Sequence, residues 1–345
     1  MTIRLGLVGF GGVNRALVDM LRARRDDVGR DFAVTAVSDL YQGSAFAAGG
    51  LDLDLLREAP LQRGGLESAP GGSAEADNAA LASSPDVDVV VEASVTDPLR
   101  GEPALALCRA ALSAGKSVVA ANKGPAVFGA GELLALAAAR GGHFLFEGAV
   151  MSGTPVLRSA RLAYPGARFR GFWGVLNGTS NYVLGRMEAG ASLAEAVAEA
   201  QREGYAEADP TADIEGYDAR LKVVILANLL LGADLRPDDV ACTGLSGLDP
   251  RQVADAPHGA PPGRWKLIGR ASRRPDGRIE AEVAPMRLEL SDPLAGVSGP
   301  TNALTLDADD LGPTTIVGPG AGRAQTAFAL LSDLLELKAR IGGRS

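Results

Sequence analysis

The feature that most restricts the fold is the opening of the chain. A short apolar run, Ile3–Val8, passes through Gly9-Phe10-Gly11-Gly12-Val13-Asn14 directly into a helical pattern over 15–21. Only a strand, a glycine turn and a helix read consistently through that stretch. The alternation then repeats. A strand over 32–38 ends at Asp39, a buried-strand pattern over 87–92 leads to Ala93-Ser94-Val95-Thr96, a helix over 102–114 stops at Gly115, and 117–120 is again a strand. Such alternation predicts an α/β chain with a mostly parallel, doubly wound sheet. The segment 64–84, rich in Gly, Ala, Ser and Pro, reads as a surface connection.

The turn at 9–14 sits where a Rossmann-type sheet binds a dinucleotide. Backbone N–H groups and the positive end of a helix converge there, and both suit a pyrophosphate. Gly9 allows the tight turn and Gly11 a close phosphate approach, with Phe10, Gly12 and Val13 completing the loop. Asn14 stands where a third glycine is usual, so the fingerprint is incomplete. A tight turn without ligand satisfies the same pattern. Asp39 falls at the distance where an acid holds the adenosine ribose, and no Arg or Lys follows among residues 40–43, which leans toward NAD over NADP. Arg57 and Arg63 are near enough in sequence to reach back. Ser94 and Thr96 are placed to line the crevice beyond a strand's carboxyl end, as is Lys123 in Ala121-Asn122-Lys123-Gly124-Pro125.

The length of 345 residues suits two domains, a dinucleotide-binding domain over 1–150 and a second of α+β type over 151–315, followed by a C-terminal segment over 316–345. A formal net charge of −8 gives no broad reason to bind nucleic acid or an anionic membrane. Cys108 and Cys242 are too far apart for a metal motif, and two histidines exclude multi-histidine metal chemistry. No run of apolar residues is long enough to span a bilayer and no signal segment opens the chain, so a cytoplasmic protein is expected. Among 34 basic residues only Lys116, Lys123, Lys222, Lys266 and Lys338 are lysine. Arginine cannot release its proton near neutral pH and a desolvated lysine can, so each lysine is a candidate for proton chemistry.

Beyond a helix over 132–140, the strand 144–147 runs into Gly148-Ala149-Val150-Met151-Ser152-Gly153-Thr154-Pro155, an acid followed by irregular backbone that suits either a plain turn or a hard cation at Glu147. A strand pattern over 169–176 enters Asn177-Gly178-Thr179-Ser180-Asn181-Tyr182, and an amphipathic helix covers 193–202. The most informative stretch is 204–222, in which Glu207, Asp209, Asp213 and Glu215 precede a long apolar helix over 221–231. Asp218 and Lys222 are four apart and share a helix face. Such a pair is ordinarily a weak surface contact, but the flanking Val223-Val224-Ile225-Leu226 suggest burial, where an acid–lysine pair is costly unless used.

These blocks together resemble homoserine dehydrogenase over nearly the whole chain: Gly9-Phe10-Gly11, 121–125, 147–155, 176–182 and 204–222. The resemblance implies interconversion of L-homoserine and L-aspartate 4-semialdehyde with NAD or NADP, on the route to threonine, methionine and isoleucine, by a homodimer joined through the second domain. It implies active-site lysines at Lys123 and Lys222 and substrate-holding residues among Glu207, Asp218, Asn177, Gly178, Thr179, Gly204 and Asp213. It also implies a monovalent cation, Na⁺ or K⁺, at Glu147 with backbone oxygens of Val150, Ser152 and Thr154. The stretch Gly318-Pro319-Gly320-Ala321-Gly322 resembles the part that returns to the cofactor, through Gly320 and Gly322, before a last helix over 324–337. The chain ends soon afterwards, so no appended regulatory domain is expected. Another small amino-acid dehydrogenase of the same build, or a nonenzymatic NAD-sensing protein, would share the first domain.

Overall fold

The computed structural model describes residues 2–342, which form two compact units. The first comprises the chain through Gly153 together with Gly322 onward; the second is Thr154–Ala321.

The first unit holds a seven-stranded sheet: β1 (Ile3–Val8), β2 (Phe32–Asp39), β3 (Gly43–Phe46), β4 (Gly72–Ser73), β5 (Val89–Glu92), β6 (Ser117–Ala120) and β7 (Phe144–Leu145), in the order β4-β3-β2-β1-β5-β6-β7. From β2 to β7 the pairing is parallel, and β3 and β4 add an antiparallel edge. The central strands are near-continuous Val and Leu because helices cover both faces. β1 lies between β2 and β5, so successive crossovers depart to opposite sides of it. The segments leaving β1 and β5, at Gly9 and Ala93, therefore flank a topological switch point, where ligands bind in such sheets.

Helix Gly12–Ala23 buries Leu17 and Leu21, and helix Arg323–Gly342 buries Leu330, Leu331, Leu334 and Leu337, in one cluster with Leu5, Leu7, Val34 and Val37. The C-terminal helix thus belongs to the core of this sheet. Residues 316–321 do not go with it: Gly312–Pro319 is a strand of the second unit. Positions 343–345 of the expected C-terminal segment lie outside the described residues.

Several local expectations shift. The segment 64–84 supplies edge strand β4 and the helix Asn78–Ser83, capped by Asp77. The helix expected over 132–140 begins nine residues earlier, as Lys123–Ala139, because Asn122 caps it by accepting from Gly124 N (2.8 Å) and Pro125 is tolerated in a first turn. The strand expected over 144–147 ends at Leu145, and Glu147 opens the short helix Gly148–Met151.

The second unit carries a six-stranded sheet of β8 (Phe169–Val175), β9 (Ala241–Cys242), β10 (Gly263–Arg273), β11 (Ile279–Glu289), β12 (Thr301–Ala308) and β13 (Gly312–Pro319), ordered β13-β12-β8-β10-β11-β9. All pairs are antiparallel except β11 with β9. Helix Tyr217–Leu230 packs on β10 and β11 and is apolar nearly all round, with Leu221 and Val223 through Ala227 buried. It lies so close to β10 that a Cβ at Gly269 would come within 2.7 Å of Val223 Cγ2.

Candidate active site

In the first unit the glycine turn has the geometry a phosphate loop needs. Gly9 takes φ +76°, and a Cβ there would lie 2.6 Å from Ser94 Cα, so only glycine fits beside the segment leaving β5. Gly11 is extended and opens the helix at Gly12, and a Cβ at Gly11 would meet no atom within 4 Å, so the space over it is open. Asn14, where the fingerprint lacks its third glycine, is buried in the turn. Its amide donates to Val8 O (3.1 Å) and Gly9 O (2.8 Å), so it braces the loop from behind and leaves the phosphate approach clear. Val13 is half-buried at the helix start.

Asp39 ends β2 and fixes this corner: Oδ2 accepts from Phe10 N (2.7 Å), and Oδ1 accepts from Tyr41 N and Gln42 N (2.9 Å each). The two arginines nearest in the fold are already committed. Arg15 is buried, stacks on Phe10 and donates to Gln42 Oε1 (2.7 Å) and to three carbonyls; burial lowers it from the usual guanidinium range. Arg57 pairs with Asp19 at 2.8 Å. With Arg15 and Arg57 engaged and Arg63 exposed, the corner presents a carboxylate to a ribose hydroxyl.

Sequence reasoning missed the group that organises the far side of this crevice. Glu92, the last residue of β5, is fully buried; its Oε1 accepts from Ser94 N (3.1 Å) and from Ser94 Oγ, and its Oε2 has no partner among the described residues. Burial pushes its carboxyl up to about 7, against the pull of the Ser94 and Asn122 hydrogen bonds. Asn122 continues the network. Its amide donates to Ser94 Oγ (3.2 Å), its Oδ1 accepts from Thr96 Oγ1 (3.0 Å), and Thr96 Oγ1 in turn accepts from Lys123 N at 3.4 Å. Asn122 thus links Ser94 to Thr96, and through it to the Lys123 backbone, while Glu92 anchors the Ser94 end, its only sequence signal an acid ending a Val-Val-Val run.

Glu147 is buried, its N–H donating to Asp333 Oδ2 (3.0 Å) of the last helix. Val150 is buried in the short helix that follows, and Ser152 leaves that helix at φ +51°, with its hydroxyl 2.8 Å from Thr326 Oγ1. Thr154 opens the second unit, donating to Pro319 O (2.9 Å). No cluster of three or more His, Cys, Asp or Glu among the described residues is arranged to hold a metal.

In the second unit Lys222 is 5% exposed, and its ammonium lies 2.8 Å from Asp218 Oδ2 and donates to Leu176 O (2.6 Å). The helix starts at Tyr217, four residues before the expected 221, so Asp218 sits in its first turn. Asn177 caps the next helix through Ser180 N (2.8 Å) and turns its amide to both Asp213 Oδ1 (2.6 Å) and Asp218 Oδ2 (3.0 Å). One neutral amide therefore holds two carboxylates beside a single ammonium. Burial raises Asp213 above the usual carboxylate range, with Asp218 adding to it and Asn177 opposing. Thr179 donates to Tyr205 O (2.6 Å), tying the segment that carries Gly204 (φ +77°) to the site; Gly178 packs under Pro300 O.

Not every expected residue joins this cluster. Glu207 is exposed, and among the described residues only its backbone oxygen is engaged, by Gln201 Nε2 at 3.0 Å. Gly320 lies against buried Asn302, and Gly322 (φ +122°) precedes the last helix. Lys266, one of the five lysines, is buried and donates to Asn181 Oδ1 (2.9 Å) and Val297 O (2.5 Å), which makes it a staple between a helix and a loop; burial brings it down to about 8.

The family model for homoserine dehydrogenase matches residues 155–335. An NAD(+)-dependent homoserine dehydrogenase of Pseudomonas canavaninivorans is 48% identical over 97% of this chain and 96% of its own. A homoserine dehydrogenase of Methanocaldococcus jannaschii is 33% identical over 96% and 97%. Among solved structures, a putative homoserine dehydrogenase of Archaeoglobus fulgidus superposes with a TM-score of 0.84 at 33% identity, covering 97% of this chain and 99% of that one. A hyperthermophilic archaeal homoserine dehydrogenase in complex with NADPH gives 0.83 at 27% identity over 99% and 98%.

Proposed function

The chain belongs to the homoserine dehydrogenase family, and from that membership we propose how its residues divide the work. It is an NAD(P)-dependent oxidoreductase that interconverts L-homoserine and L-aspartate 4-semialdehyde. A nicotinamide dinucleotide, when bound, would supply the hydride acceptor for the carbinol carbon, and the chain's own residues hold the alcohol and remove its proton.

One observation carries the assignment of that proton: the Lys222 ammonium is buried, ion-paired with Asp218 at 2.8 Å and donating one N–H to Leu176 O. An ammonium has three donors, and among the described residues Leu176 O and the Asp218 carboxylate are the groups that meet it, which leaves a donor position over. In this reading, that position is filled by the substrate's terminal oxygen. In the reduction direction Lys222 gives a proton to the developing alkoxide; in oxidation its neutral amine takes the hydroxyl proton, with Asp218 stabilising the ammonium that results. Asp213 and Asp218, with Asn177 between them, supply negative charge for the substrate's α-ammonium. Glu207 joins them, as do Gly178, Thr179 and Gly204 through backbone and side-chain position, on the strength of the sequence resemblance. The same resemblance gives Lys123 the task of polarising the reacting oxygen.

The residues at 9–14, 39, 94 and 96 fit a dinucleotide, with Gly320 and Gly322 following the resemblance. The carboxylate of Asp39 and the engaged Arg15 and Arg57 favour NAD. A monovalent cation at Glu147 with the Val150, Ser152 and Thr154 carbonyls is supported by the buried acid and by the positive φ of Ser152, a costly backbone that turns the chain out of its helix. A cytoplasmic homodimer acting in threonine, methionine and isoleucine synthesis completes the reading. No helix among the described residues is long and apolar enough to cross a membrane. Initial rates with L-homoserine and NAD or NADP, with and without added Na⁺ or K⁺, test these assignments. Faster turnover with NAD and dependence on the cation are expected. Preference for NADP and indifference to the cation would remove the Asp39 and Glu147 assignments, and a light-scattering mass near that of one chain would remove the dimer.

A further inference from the structure

We propose that Arg323 is a cofactor-binding residue, its guanidinium closing over the dinucleotide pyrophosphate at Gly11–Gly12. This deepens the NAD-binding reading above and rests on it.

The last helix, Arg323–Gly342, packs along the first, Gly12–Ala23, in the same core, and Arg323 is its first residue. The side chain is laid across the start of the first helix: a Cβ at Gly12 would fall 2.5 Å from Arg323 Cδ, 2.7 Å from Nε and 3.1 Å from Cγ. Gly12 is therefore glycine for a reason the fingerprint alone does not contain. The arginine stem occupies the place a side chain would take, while the space over neighbouring Gly11 stays open.

Three features make this a ligand residue. Arg323 is exposed, and among the described residues no carboxylate or carbonyl receives it, although many other arginines of the chain are paired. Its first-turn position puts a full positive charge beside two helix N-termini, the least favourable place for a cation unless an anion sits between them. The anion expected at Gly11–Gly12 carries two negative charges, and a guanidinium fork matches phosphate oxygens. The return of the C-terminal helix to the first sheet brings an uncommitted cation to a phosphate loop whose neighbouring Arg15 is spent on Gln42 and three carbonyls.

The test is equilibrium titration of wild type, Arg323→Ala and Arg323→Lys with NADH and separately with NADPH, read by nicotinamide fluorescence without amino-acid substrate. Losing a charge-assisted phosphate contact raises the dissociation constant roughly 10–100-fold. The Ala variant is expected to weaken both dinucleotides alike, the Lys variant less, with the free Ala variant melting no lower than wild type. Equal affinity in wild type and Ala would overturn the proposal. So would a loss confined to NADPH, which would place the guanidinium on the 2′-phosphate. Because the readout needs no homoserine, a protein that binds NADH through Arg323 yet fails to oxidise homoserine would sink the substrate reading and leave this one standing.

Discussion

Replacing Glu92 by Gln should abolish a specific pH dependence of stability. The carboxyl is fully buried, one oxygen has no partner, and burial lifts it from an ordinary 4.5 to about 7. Between those values the folded protein holds a proton that the unfolded chain has released, so stability must fall as pH rises through the window. A separation of about 2.5 units at 1.36 kcal/mol each makes the loss about 3 kcal/mol by pH 8, to order of magnitude. Cys108, the titratable side chain that senses Glu92 through space, stays a thiol throughout, pushed up by burial first and by Glu92 second. Glutamine keeps an acceptor for Ser94 and cannot ionise. Its amide occupies the unpartnered position, which adds a pH-independent cost of about 1–3 kcal/mol. Urea denaturation of both proteins from pH 5 to 8.5 gives the comparison, and only the change in their difference matters. The variant should gain roughly 2 to 3 kcal/mol on wild type across the range, since a part of the loss already lies below pH 5. A flat difference would mean that Glu92 ionises normally and that the buried-acid account of the Ser94–Asn122 network is wrong.

Two further substitutions address the two units separately. Asp39→Asn removes the charge facing a 2′-phosphate, a repulsion on the order of 1–2 kcal/mol in a partly hydrated corner. The ratio of kcat/KM for NADP over NAD should rise about tenfold, and an unchanged ratio would count against Asp39 as the discriminator. Asn177→Ala deletes a helix cap worth about 1 kcal/mol and frees Asp213 and Asp218 from their shared amide. Homoserine KM should rise with NADH affinity intact, whereas a change in NADH affinity alone would separate Asn177 from the substrate.

The parallel strands β1, β2, β5 and β6 were readable because they are largely apolar runs, a pattern set by burial on both faces, whereas the edge strands β3 and β4 are short and rich in Gly, Ser and Ala and read as connection. The helix 193–202 kept its expected bounds because Ser192 and Glu195 form a capping box at its start. The start of the Lys123 helix was not readable, since Gly124 and Pro125 look like a loop unless Asn122 is known to cap them. Lys222 was singled out by the scarcity of lysine and the apolar residues around it, and the fold buries it against Asp218. Glu92, Asn122 and Arg323 carried no comparable signal. Their significance depends on neighbours 28 residues away for Asn122 and Ser94, and across nearly the whole chain for Arg323 and Gly12. Glu207 shows the converse: its motif is strong in sequence, but its side chain is exposed and outside the hydrogen-bonded cluster.

The most direct test of the proton-transfer assignment is the turnover number of Lys222→Met, which keeps the apolar stem and deletes the ammonium. With NADH affinity and melting behaviour confirming a folded protein, homoserine oxidation at saturating substrate should slow by at least ~10²-fold, the loss typical of removing general acid–base help. Turnover within a few-fold of wild type would contradict the account and move the proton to another group.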